Sequence, residues 1–101
     1  MIYIAQLIYL HEGQEDSFND FESYAIPIIA NYNGELLFRL RPNENSYIKL
    51  GSIEKPYEIH LIKFDCENNF IEFMEDEDRK KYLHLRDKSI KVSYLIKGEM
   101  L

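Results

Sequence analysis

The side chains in this sequence that could do chemistry are few and widely spaced. His60 stands in an apolar run between Ile59 and Leu61, where an imidazole can act as a base or orient a ligand. The alternative is a histidine hydrogen-bonded to a neighbour such as Glu58 or to an arginine. Cys66 is the one cysteine. At a helix start the dipole can make a thiol nucleophilic, but no histidine is placed beside it, and a small residue opening a helix is the plainer reading. His11 and His84 have no metal-ligand spacing with each other or with His60, so no metal is expected. The run Glu75-Asp76-Glu77-Asp78 lacks the alternating oxygens and the glycine of a calcium loop and reads as a solvated turn. No phosphate loop forms among the 4 glycines, and there is no serine elbow.

Those residues have to be positioned by a small set of elements. Residues 2–10 are β-branched and aromatic with one polar member, Gln6, and predict a strand ended by Glu12-Gly13. Asp16 or Ser17 can cap a helix, with Asp20 three residues after Ser17 as in a capping box. Phe18, Phe21, Ala25, Ile28 and Tyr32 follow as its apolar stripe. Pro27 inside that stripe predicts a kink, and Gly34 a left-handed cap. A second strand is predicted over 35–41, interrupted at Pro42 as suits a sheet edge and resumed over 46–50. A turn over 51–56 and a third strand over 57–64 come next. Asp65 or Cys66 opens a second helical region carrying Phe70, Ile71, Phe73 and Met74, which the acidic cluster breaks or bends. Helix continues over 79–89, and the last strand covers 91–97. The order β-α-β-β-α-β predicts an α+β, ferredoxin-like, four-stranded antiparallel sheet with both helices on one face, as one domain over 1–101.

Composition bounds what such a domain does. With 101 residues there is room for one modest core. A net charge of −6 argues against nucleic acid as a partner, which needs a basic face, and against an anionic membrane surface. No apolar run approaches the ~18 residues of a membrane helix. The lone cysteine suggests a reducing compartment, and the first residues lack the basic stretch of a signal peptide, so a cytoplasmic location is expected.

The strands also predict an assembly. Residues 2–10 place Ile2, Ile4, Ile8 and Leu10 on one face and Tyr3, Ala5, Leu7 and Tyr9 on the other. The last strand has Val92, Tyr94 and Ile96 on one side and Leu95 on the other. Two helices cover one face of four strands, so the second face calls for a second copy of the chain. Each large side chain left wet forgoes about 1.5–3 kcal/mol of burial.

Three blocks of residues carry a family resemblance. The first is the run from Phe21 to Gly34 followed by Leu36-Leu37-Phe38-Arg39. The second is Pro56 with the strand ending at Phe64, and the third is Phe73, then Tyr82-Leu83-His84-Leu85-Arg86 and residues 92–98. Together they resemble the dimeric α/β-barrel superfamily, which includes the antibiotic-biosynthesis monooxygenases, the EthD-like proteins and several families of unknown function. The resemblance is greatest to one of those uncharacterised families, of about one hundred residues. Asn33-Gly34-Glu35 stands where that family usually has Gly-Gly-Arg, and Asp76-Glu77-Asp78-Arg79 where a Ser-Pro-Glu-Tyr-like turn is expected.

The resemblance implies a homodimer whose two sheets close into a barrel, with ligands held between sheet and helices. It marks Arg39 and Arg86 as positions where arginine recurs, either of which can grip a carboxylate or form a structural ion pair. Tyr24 and Tyr82 would line that pocket or belong to the core. Haem-degrading relatives use a tryptophan, and this chain has none. The same lack weakens a cofactor-free monooxygenase. The expected function is therefore a small-molecule enzyme of the cofactor-independent monooxygenase or isomerase type. Its ligand-binding residues would be Tyr24, Arg39, His60, Tyr82 and Arg86, with His60 and Arg39 as catalytic candidates and no bound cofactor. The alternatives are a non-catalytic ligand-binding or regulatory homodimer, and a purely structural one.

Overall fold

Four strands and four helices are found among the described residues, 1–45 and 53–101, of the computed structural model. Strand β1 is Ile2–Leu10, helix α1 is Glu15–Ile29, and a 3-10 turn over Ala30–Tyr32 leads into β2, Gly34–Leu40. Strand β3 is Glu58–Phe64, followed by helices α2 (Glu67–Met74), α3 (Glu77–Lys80) and α4 (Leu83–Ser89) and strand β4, Ile90–Gly98. The sheet order is β2-β3-β1-β4, with every neighbouring pair antiparallel. This is the ferredoxin-like α+β arrangement. Among the described residues no helix is long and apolar enough to cross a membrane.

Register sorts the side chains. Ile4 pairs with Ile62, Gln6 with His60 and Ile8 with Glu58, so these six share the face under the helices. There Ile4, Ile62 and Phe64 pack against Ile29 of α1 and Phe73 of α2 as the buried core. Phe64 meets Phe70 and Phe73 with centroid separations of 5.6 Å each. Gly34 lies at the tightest seam, since a Cβ there would come within 2.6 Å of the Phe64 ring and 2.7 Å of Ile29.

Several local expectations are corrected. The left-handed residue is Asn33, at φ 56, and Gly34 is already strand. Glycine is needed at 34 for space, and the turn itself falls on an asparagine. Neither Asp16 nor Ser17 caps α1: the helix begins at Glu15, with Gln14, two residues before Asp16, in the cap position and its side chain accepting from Ser17 Oγ at 3.3 Å. In the stripe Ile29 is buried and Ile28 only partly so. Pro27 lies on the exposed side, and α geometry runs on to Ile29 before tightening. The predicted helix 79–89 is two helices, divided at Lys81 and Tyr82. The acidic cluster does break the second helical region: Glu75 closes α2, and the Asp76 carboxylate caps α3 by accepting from Arg79 N–H at 2.8 Å. The strand expected over 46–50 and the start of the turn over 51–56 lie outside the described residues.

Candidate functional site

Four ionisable side chains lie more than nine-tenths buried on the helix side of the sheet: Glu22, Glu58, His60 and Arg79. Burying charge is expensive unless it is paired, so each needs a physical account.

Glu58 and His60 sit two residues apart in β3, which in a strand puts both on one face. Glu58, 1% exposed, is the hub. Arg39 donates to it through Nε at 3.0 Å and Nη2 at 3.1 Å, a bidentate grip. Arg41 adds Nε at 3.1 Å and Nη2 at 2.6 Å, with its guanidinium stacked over Tyr57. His60 Nε2 makes a short contact to the second carboxylate oxygen. Burial works to raise the Glu58 carboxyl, but hydrogen bonds from His60, Arg41 and Arg39 outweigh it and hold it down at about 2. An ionised carboxylate only accepts, so His60 Nε2 carries the proton of that contact. Among the described residues Nδ1 receives no hydrogen bond.

A β-bulge brings Arg39 here. Leu36 pairs with Ile62 on the helix side, Phe38 with Leu61 on the open side, and Arg39 with His60 back on the helix side. The extra residue, Leu37, flips the alternation so that Arg39 and Arg41 reach Glu58.

Above the sheet, α1 buries Phe18, Phe21, Ala25 and Ile29, and Glu22 falls in the same stripe. Burial pushes the Glu22 carboxyl up, opposed by the nearby charges of His60, Arg39 and Arg79. Arg79, 7% exposed, comes from α3, where the Asp76 cap and the Tyr32 hydroxyl on that carboxylate at 2.5 Å fix the corner. Its guanidinium lies over Phe73 at 5.2 Å and Phe21 at 5.8 Å. Glu22, His60, Arg79 and Arg86 all line one cavity of about 60 Å³ between sheet and helices, otherwise walled by Gln6 and by apolar side chains, mostly Phe and Ile. An apolar void of ~150 Å³ holds benzene, so this one takes a group of roughly two to four heavy atoms.

The residues singled out by sequence divide. His60 and Arg86 line the cavity, while Arg39 is engaged on Glu58. Tyr24 and Tyr82 lie apart from the cavity, stacked on each other with centroids 3.7 Å apart, and Tyr24 is 44% exposed. Cys66 is exposed and donates to Asn69 Oδ1 at 3.1 Å. Among the described residues no three His, Cys, Asp or Glu side chains are grouped to hold a metal. Sequence reasoning missed Glu22, Arg41 and Arg79 and treated Glu58 only as a neighbour of His60. The signals were a glutamate inside an apolar helical stripe and an arginine where the resembled family has tyrosine.

The opposite face of the sheet exposes several large apolar side chains. Phe38, Leu40, Tyr94 and Ile96 are 45%, 53%, 56% and 59% exposed on it. A groove runs there between Leu7, Val92, Tyr94 and Ile96 and the chain at Ile53 and Glu54. Tyr9 closes one end, its hydroxyl donating to Glu54 O at 2.9 Å.

No family model matches this chain, and no curated protein matches it. Solved structures do. A protein of unknown function from Rhodopseudomonas palustris is 14% identical with a TM-score of 0.85, over 99% of this chain and 82% of that one. A nipsnap family protein of unknown function from Agrobacterium tumefaciens is 18% identical with a TM-score of 0.68, over 97% and 86%. A Nitrosomonas europaea protein provisionally named an antibiotic biosynthesis monooxygenase is 8% identical with a TM-score of 0.74, over 100% and 99%. At such identities the likeness establishes the fold, and its neighbours include both monooxygenase-like proteins and proteins without a known function.

Proposed function

We propose that this chain is a single-domain, cytoplasmic, homodimeric enzyme that moves a proton on a small carbonyl compound, an isomerase-type reaction without metal or bound cofactor. One observation carries the reading: two carboxyls flank a buried histidine, and their surroundings push them in opposite directions, Glu22 up and Glu58 down to about 2. Such a split separates an acid from a fixed anion. In the step proposed, His60 Nδ1 takes a proton from the carbon beside the carbonyl, and the Glu22 carboxylic acid gives its proton to the carbonyl oxygen. The products are an enol, an imidazolium stabilised by Glu58, and a Glu22 carboxylate. Return of the imidazolium proton to the same carbon completes an exchange; in a 2-hydroxy carbonyl compound, whose enol is an enediol, its delivery to the former carbonyl carbon completes an isomerisation, and in either case a hydroxyl proton of the enol returns to Glu22 and restores the enzyme. Arg39 positions Glu58 and has no direct part. The isomerase form is favoured over monooxygenation because it needs the acid and base at hand and no oxidant. A ligand-binding dimer without catalysis is supported by the small size of the cavity.

The open face supports the homodimer, since an antiparallel sheet with Phe38, Leu40, Tyr94 and Ile96 in water needs a matching apolar cover, and a second copy supplies the same surface. The cytoplasmic placement rests on the lone thiol of Cys66.

The test is proton exchange in deuterated water, followed by NMR on small enolisable ketones, aldehydes and 2-oxo acids. The intact protein is expected to catalyse exchange, and Glu22→Gln and His60→Gln to slow it by about 10²–10⁴-fold while remaining folded. Exchange unaffected by both substitutions would remove the pair from catalysis.

A further inference from the structure

We propose that the group admitted to the helix–sheet cavity is a carboxylate, clamped by Arg79 and Arg86. The inference rests on the cavity being a ligand site, as in the proton-transfer reading above, and names the class of ligand.

Arg79 is 93% buried by its 7% exposure, yet its Nε is the one buried side-chain polar atom among the described residues without a hydrogen-bond partner. Its Nη1 donates only to Met74 O, at 3.3 Å. Among the described residues no carboxylate lies within ion-pair distance of it. Asp76 is near in sequence, but its carboxylate is taken up by the Arg79 backbone N–H and the Tyr32 hydroxyl. Phe21 and Phe73 cover the guanidinium, which holds it in place without satisfying its edge. Arg86 borders the same cavity, and its ion partner is the exposed Asp87 at 3.7 Å.

A chain with 18 acidic residues has thus brought two arginines to one buried cavity, and among the described residues no carboxylate is in ion-pair contact with Arg79 there. The one acid lining it is Glu22, whose carboxyl burial pushes up, and burial followed by the neighbouring Arg86 lowers the Arg79 guanidinium. A buried, unpaired guanidinium is costly. A small planar anion removes the cost, because its two oxygens accept from guanidinium N–H groups of the arginines that line the cavity. The cavity volume of about 60 Å³ suits a carboxylate of formate or acetate size, as the head of a larger ligand or alone.

The experiment uses the full chain with acetate, acetamide and chloride at constant ionic strength, read by thermal melting and by line broadening of 13C-labelled acetate. Acetate is expected to raise the melting temperature saturably, with acetamide and chloride at least tenfold weaker. Arg79→Met is expected to melt at or above the wild-type temperature without anion, since it deletes an unpaired charge, and to lose the acetate response. Arg86→Gln weakens acetate by about tenfold. Equal responses to acetamide or chloride, or an acetate response that survives in Arg79→Met, would overturn the carboxylate clamp. Acetate binding with no proton exchange on any carbonyl compound would instead sink the proton-transfer reading and leave the clamp standing. Exchange confined to neutral carbonyl compounds would do the reverse.

Discussion

One face of this sheet is covered and carries buried charges beside its hydrophobic core, while the other exposes several large apolar side chains. Under the helices lie Glu58, His60, Glu22 and Arg79, each less than 9% exposed. Across the same strands Tyr94 and Ile96 are more than half exposed. A monomer optimised for its own stability would carry only hydrophobes in the covered layer and polar side chains on the open one. Hydrophobes in the covered layer contribute burial without the desolvation cost that ions carry. The contrast teaches that neither face is explained by folding alone. The proposed ligand would account for the charged face, and the proposed second copy for the greasy one.

The largest effect is expected at the hub of the charged face. Glu58→Ala strands two arginines and a histidine around an empty place and should cost about 3–5 kcal/mol in chemical denaturation. A loss under 1 kcal/mol would show that the cluster is wet and that the contrast between the faces is overstated. Acid should reveal the same hub with a smaller amplitude. Because Glu58 is held at about 2, below the ordinary value of 4.5, its contribution is fully present above pH 4.5 and is lost as pH falls toward 2. Discounted for the part-exposed arginines, the loss is on the order of 2 kcal/mol. Glu22 works in the opposite sense, its raised value costing stability as pH climbs above 4.5. Glu22→Gln should therefore flatten the profile on that side, while Glu58→Gln removes the acid limb. The smallest change in intrinsic stability belongs to the open face. Tyr94→Asp with Ile96→Lys should alter monomer unfolding by about 0.5 kcal/mol or less per site. Sedimentation should nevertheless show the particle falling from twice 12.1 kDa to 12.1 kDa. A wild-type protein that already sediments at the single-chain mass would remove the case for a covering copy.

How far the sequence could be read varied with how local the cause was. The helical stripe from Phe18 to Ile29, the break at Glu75 to Asp78 and the β3 alternation follow from neighbours a few residues apart, and all are recoverable from periodicity. His60 was found because a titratable ring in a strand is conspicuous. Arg39 was placed in a ligand pocket, whereas its guanidinium is spent on Glu58 after a bulge that no alternation rule announces. Tyr24 and Tyr82 share a patch because α1 and α4 pack together, and there they meet each other rather than the cavity.

By itself the sequence determined the element order, the charge that disfavours polyanionic partners, and the two-sided greasiness of β1, since these depend on residue type and short-range spacing. Tertiary structure alone decided that Glu22, His60, Arg79 and Arg86, spread over 65 positions of chain, border one small cavity. It also decided that Arg79 sits there with its Nε unanswered. The reason is that burial and pairing are properties of what other elements bring to the same volume, and strand register, a bulge and a capped corner set that delivery.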